Sequence, residues 1–150
     1  MNQEPKTKNH DGSKEPDFYR MIANSLPVVV YLNEMNRNGD PLTCRNVWTN
    51  QFGLDCIGYT QKEVWALGYD YFKAIVHPDD LNIVPTSLNM MSSPWEIPVF
   101  IGMHRVRTRH QPEYKWCYGF SVELEKPAAY PFRQMLSAVF IISDDMHCMT

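Results

Sequence analysis

Residues 75–81 read IVHPDDL. A histidine, a proline and two adjacent carboxylates follow an apolar pair, the raw material of an acid–base site, a metal site or a helix start. Helix geometry separates these readings. Consecutive helical residues point about 100° apart, so Asp79 and Asp80 cannot readily share one ion or one substrate. Pro78 fits the first helical position, where its missing N–H costs nothing. Asp79 and Asp80 would then lie at the positive end of the helix dipole. The stretch therefore reads as a capped start, with Leu81, Ile83, Val84 and Leu88 on the helix that follows and a bend at Pro85.

Upstream, Gly53, Gly58 and Gly68 divide a helical middle, and Thr60 with Glu63 forms a T-x-x-E capping box. Before it, VVVYLNEM is rich in β-branched residues and predicts a strand. The Asn38-Gly39 pair predicts a hairpin turn into a second strand over residues 42–48. The first periodic segment is DFYRMIANSL (residues 17–26), where Phe18, Met21, Ile22 and Leu26 fall at helical spacing, with Asp17 as N-cap and Pro27 as stop.

Downstream, residues 98–108 read as a strand, followed by a turn at His110-Gln111-Pro112-Glu113. In the next strand, Trp116, Tyr118, Phe120, Val122 and Leu124 alternate with Cys117, Gly119, Ser121, Glu123 and Glu125. Period two argues for one buried face, here assigned to the aromatic set. Residues 135–143 form the last strand. The sum is an α+β domain: a five-stranded antiparallel sheet with helices packed on one face.

The 150 residues suit one domain, and 14 Lys and Arg against 17 Asp and Glu leave no basic footprint for nucleic acid. Four dispersed cysteines lack any CxxC pair and read as reduced thiols in a cytoplasmic protein. No apolar run approaches the ~18 residues of a membrane span. Residues 1–16 are polar and read as a flexible leader without a signal peptide, residues 17–145 as the domain, and residues 146–150 as a junction.

At this point the spacing resembles a family. Asn50 is followed by Gly58-Tyr59-Thr60, then Glu63, then His77-Pro78-Asp79-Asp80, in the register of a PAS domain with PAC-like C-terminal strands. HRVRTRHQPEYKWCYGF (residues 104–120) is similar to the family's Arg-rich strand, hairpin and Trp-bearing strand, with Pro112 where glycine is usual. The resemblance covers residues 17–145. It implies a sensory and dimerisation module that is not itself an enzyme, in which the HPDD turn is structural.

The resemblance also implies where cofactors would sit. Flavin-binding photochemical relatives carry an asparagine-cysteine-arginine-phenylalanine motif on the helix after the second strand, where this chain has VWALGYDYF. Haem-binding relatives place a histidine in the helix after the HPDD position, and residues 79–91 contain none. Haem would need an unusual ligation, covalent flavin has no cysteine, and no metal cluster is expected. The remaining interior candidates are Phe72, Ile75, Leu88, Val99, Ile101, Trp116, Tyr118, Phe120, Met135 and Val139. They suit either a packed core or a pocket for a small apolar or aromatic ligand, with Met90, Met91, Met103 and Met135 as adaptable filling.

Phe18, Met21, Ile22 and Leu26 either pack on the domain's own sheet or make homodimer contacts, as the resemblance implies. No phosphate-binding loop, GxSxG elbow, HExxH or kinase motif set occurs. The expected output is a domain beyond Thr150, a LuxR-type helix-turn-helix regulator that alone would touch DNA. A histidine kinase output and a stand-alone interaction module are the alternatives. A small cone-like or isomerase-type enzyme would need a buried carboxylate or histidine pair on the sheet face.

Overall fold

Strand β1 (Val29–Asn36) pairs on both sides, with β2 (Arg45–Thr49) on one edge and β6 (Phe132–Ile141) on the other. Strand β5 (Tyr114–Leu124) follows β6, and β3 (Val99–Phe100) and β4 (His104–Arg107) share the far edge of β5. Every pairing is antiparallel, so the sheet has five positions, the last filled by two short strands. The computed structural model describes residues 15–37, 40, 43–82, 99–100 and 102–142. The Asn38-Gly39 turn, the start of the second strand at residue 42, the helix over residues 83–91, the leader up to residue 14 and the junction at 146–150 lie outside these residues.

The helices are α1 (Glu15–Ser25), α2 (Gln51–Ile57), α3 (Gln61–Leu67) and α4 (Tyr71–Ile75), with 3-10 turns at Gly68–Asp70 and Pro78–Asp80. Leu54 and Ile57 of α2, Val64 of α3, and Tyr71 and Ile75 of α4 pack into one buried cluster against the sheet. The capping box at α3 is present, with Glu63 N–H donating to Thr60 Oγ1 at 3.2 Å and Thr60 N–H to the Glu63 carboxylate at 2.9 Å. Gly58 closes α2 in the left-handed conformation, φ 76°.

Four local readings are corrected. Gly53 does not divide the helical middle; it lies inside α2, where a Cβ would stand 2.8 Å from Val29 Cγ1 and Thr49 Cγ2. Asp17 is not an N-cap, because α1 already runs from Glu15. The long strand over 98–108 is interrupted at Gly102, whose φ of 93° breaks the extended run. Met103 stands exposed beside that break and fills nothing, whereas Met35, Cys44 and Met135 form the buried cluster with Phe72 against them.

The largest correction concerns β5. Its inner face is Cys117, Gly119 and Ser121, all buried, while Trp116 and Phe120 are exposed. The period-two alternation is present, with its faces opposite to the expected assignment. Gly119 gives the reason. A Cβ there would fall 2.3 Å from the Ala138 carbonyl oxygen, so only glycine permits this approach of β5 to β6. Small residues fill the crowded side, and the aromatics take the side with room.

Candidate functional site

A cavity of about 50 Å³ lies between α2, α4 and the inner face of the sheet. Ile57, Ile75, Val76, Val106, Val139 and Ile141 supply most of its wall, and Tyr31, Thr49, Tyr71 and His104 bring polar atoms to it. Pockets for drug- or cofactor-sized ligands run to roughly 300–1,000 Å³. The described part of this cavity is smaller than that.

Strand register lines up four hydroxyl side chains across this inner face. Thr49 pairs with Tyr31, Tyr31 with Ser137, and Ser137 with Ser121. Tyr31 hydrogen-bonds Ser137, and the Ser137 and Ser121 hydroxyls are 2.5 Å apart. Thr49 ends the row. It is 3% exposed, and its Oγ1 is a buried side-chain atom with no hydrogen-bond partner. Its backbone N–H is satisfied by Gln61 Oε1 at 2.8 Å.

His104 sits at the opposite wall. Its Nδ1 lies 3.3 Å from the Gly102 carbonyl, which can only accept, so Nδ1 carries the proton. Nε2 is then the acceptor for the Cys117 thiol at 3.2 Å. Burial favours the neutral imidazole and lowers the His104 pKa. Burial also pushes the Cys117 thiol up to about 12, so this pair is a hydrogen bond and not a thiolate nucleophile. Burial raises Tyr31 and Tyr71 as well, keeping both phenols protonated.

Among the sequence candidates, Phe72, Ile75 and Val139 line the cavity, and Met135 is buried in the adjoining cluster. Leu88 and Ile101 lie outside the described residues, as does the side chain of Val99. Trp116, Tyr118 and Phe120 do not line it, because β5 presents them on the other face. The sequence reading missed Thr49, Tyr31, Val29 and His104. Thr49 stands directly before Asn50, the first residue of the PAS-like spacing.

Asn50 is fully buried and carries four hydrogen bonds. Its Oδ1 accepts from Val30 N and Gly53 N, each at 3.0 Å, and its Nδ2 donates to Ala23 O at 2.9 Å and Val28 O at 2.8 Å. One amide thus joins α1, β1 and α2. Tyr59 packs beneath the Arg109 guanidinium at 5.3 Å, and Arg109 reaches Glu63 at 2.6 Å.

The HPDD turn is structural, with an addition. His77 is the cap, its Nδ1 accepting from Asp79 N at 3.1 Å. Asp79 projects to solvent, while Asp80 turns inward onto Arg105. Among the described residues, no group of three or more His, Cys, Asp or Glu side chains is placed to hold a metal ion.

On the outer face, Trp116, Phe120, Leu136 and Phe140 are exposed, and Tyr118 stacks on Phe140 at 5.3 Å. Phe18, Met21 and Ile22 of α1, with Leu26 just after it, are also exposed, so the stripe does not pack on the domain's own sheet.

No family model and no curated protein matches the chain by sequence. Solved structures do. A PAS domain from a two-component sensor histidine kinase matches with a TM-score of 0.61 at 11% identity, over 85% of this chain and 96% of that one. The chain has the PAS fold. A PAS domain of an HTR-like protein from Haloarcula marismortui matches with a TM-score of 0.57 at 9% identity, covering 85% of this chain and 91% of that one. An RNA-binding light-oxygen-voltage receptor matches at 0.63 and 11% identity, over 97% of this chain and 38% of that one. The PAS arrangement of helices against one sheet face accounts for the cavity on the helical side and the open aromatic face behind it. No helix among the described residues is long and apolar enough to cross a membrane.

Proposed function

We propose that this PAS domain is a cytoplasmic, non-catalytic sensory module that works as a homodimer and regulates an attached output domain. The observation that carries the reading is the sharing of strands. β6 supplies Val139 and Ile141 to the wall of the small cavity and, on its other side, presents Leu136 and Phe140 to solvent beside Trp116 and Phe120 of β5. A change of packing inside is therefore a change of shape outside, with no intervening element. The output is a LuxR-type transcription regulator in the first reading. A histidine kinase is the second, favoured by the likeness to a sensor kinase's PAS domain.

Light scattering at micromolar concentration tests the module as a dimer. The expected result is twice the chain mass for the parent and a folded monomer for the Trp116→Ser/Phe140→Ser double variant. A monomeric parent, or a dimer indifferent to these substitutions and to Ile22→Ser, overturns the reading.

A further inference from the structure

Arg105, Arg107 and Arg109 alternate from β4 into the turn before β5. Two of them have a carboxylate: Asp80 meets Arg105 at 2.8 Å and Glu63 meets Arg109 at 2.6 Å. Arg107 has none among the described residues. Its Nε donates to the Ala74 carbonyl at 3.0 Å, which orients the guanidinium and leaves both Nη groups for another acceptor. Arg107 and Arg109 line one cleft of about 390 Å³, together with Tyr59, Thr108, His110 and Gln111. No Asp or Glu lines it, and it shares no lining residue with the small cavity. In a chain of net charge -3, this is a positive recess.

The walls of the recess are held in place. Arg109 N–H donates to the Ile57 carbonyl at 2.9 Å, fastening the turn to the end of α2. The Arg109 guanidinium lies over the Tyr59 ring at 5.3 Å. His110 packs against Gly58, where a Cβ would stand 2.9 Å from its Cδ2. Donors positioned in advance lose little freedom when a ligand arrives. Arg107 offers two Nη groups, and the Glu63 contact occupies only Nη1 of Arg109. A neutral His110 ring adds one N–H, Thr108 a hydroxyl and Gln111 an amide NH2. A carboxylate has two oxygens in one plane, whereas a tetrahedral oxyanion can meet donors arriving from several sides.

We propose that this cleft binds a phosphate group, with Arg107 as its main cation and Arg109 as the second. Thr108, His110 and Gln111 supply the neutral donors around it. Glu63 competes with the phosphate for Arg109, so the cleft is tuned by an acid on α3. The site lies apart from both the small cavity and the outer aromatic face, and it stands whether or not the chain dimerises.

The test is a titration of the isotope-labelled chain with inorganic phosphate, glycerol 3-phosphate and acetate at constant ionic strength, followed by the backbone amides of residues 107–111. Both phosphates should give saturable shifts centred on Arg107, and acetate should not saturate in the same range. Tighter binding of glycerol 3-phosphate assigns the group to a phosphate monoester, and equal binding assigns it to free phosphate. Arg107→Gln should weaken phosphate binding about tenfold or more, and Arg107→Lys less. Arg20→Gln in α1, which removes the same charge elsewhere, should leave binding unchanged. Glu63→Gln keeps a side chain able to complete the capping box but removes the competing charge, so it should tighten binding severalfold. Acetate binding as tightly as phosphate, or equal losses in Arg107→Gln and Arg20→Gln, overturns the proposal. Binding unchanged or weakened in Glu63→Gln overturns it as well, and that variant decides the matter if Arg107→Gln fails to fold.

Discussion

Arg105 holds Asp80 through three hydrogen bonds: its backbone N–H at 2.8 Å and Nε at 2.9 Å to Oδ2, and Nη2 at 2.8 Å to Oδ1. The same guanidinium lies 5.2 Å over the Trp116 ring. The second acid of the HPDD turn thus pins that turn to β4 and, through Arg105, to the outer aromatic face.

Asp80→Asn should destabilise the fold by about 1–2 kcal/mol in urea unfolding, because a charge-assisted fork is lost from a largely covered site. Hydrogen bonds from Arg105 hold the Asp80 carboxyl down at about 2, against an ordinary value of 3.8. A lowered carboxylate stabilises the fold fully above its unfolded pKa and loses that contribution as pH falls through the folded one. The gap between parent and variant should close between about pH 4 and pH 2. A gap constant over that range would show that the charge is not responsible.

Asn50→Ala should cost more, about 3 kcal/mol or above, since it strands two N–H groups and two carbonyls in the interior. Asn50→Asp retains the acceptor for Val30 N and Gly53 N but turns an oxygen toward the carbonyls of Ala23 and Val28. It should fall between parent and alanine in thermal unfolding above pH 6. Equal stability of all three proteins would contradict the fourfold role.

Gly119→Ala has no room on the inner face, where its methyl would meet the Ala138 carbonyl. The expected loss is about 3 kcal/mol or failure to fold, near the upper end for overpacking. Phe120→Ser, one residue along on the exposed face, should change stability far less. If the two changes cost the same, the face assignment of β5 is wrong.

Stability should decline as pH drops below about 6.5, because burial lowers the folded pKa of His104 beneath that of the unfolded chain. In that interval the unfolded state binds more protons, so acid favours it. His104→Gln should flatten the pH 7.5 to 5.5 segment of the stability curve. An undiminished slope in the variant would assign the effect to another group.

The element order was legible because it is written in local chemistry: the Thr60/Glu63 box, the IVHPDDL turn and the period-two run from Trp116 each announce themselves over a few residues. The inward face of β5 was not. Alternation gives two faces but not which is covered, and hydrophobicity votes for the aromatics. The deciding term is the distance between Gly119 and Ala138, a fact of pairing that only the assembled sheet contains. Thr49 escaped for a similar reason. A threonine before an N-cap gives no local sign of its place until strand register sets it opposite Tyr31. Asp80 was assigned to the helix dipole because its partner, Arg105, lies 25 positions away.

The four bonds of Asn50 also make α1 a pointer. One amide nitrogen clasps Ala23 near the end of α1 and Val28 at the threshold of β1, so the connection between them has no slack. The same side chain begins α2, and its backbone follows Thr49 at the cavity rim. The end of β2, the start of α2 and the end of α1 are thereby fixed to one another through Asn50. If the chain pairs as proposed, a second protomer would meet the apolar stripe of α1 at the angle this one carboxamide sets.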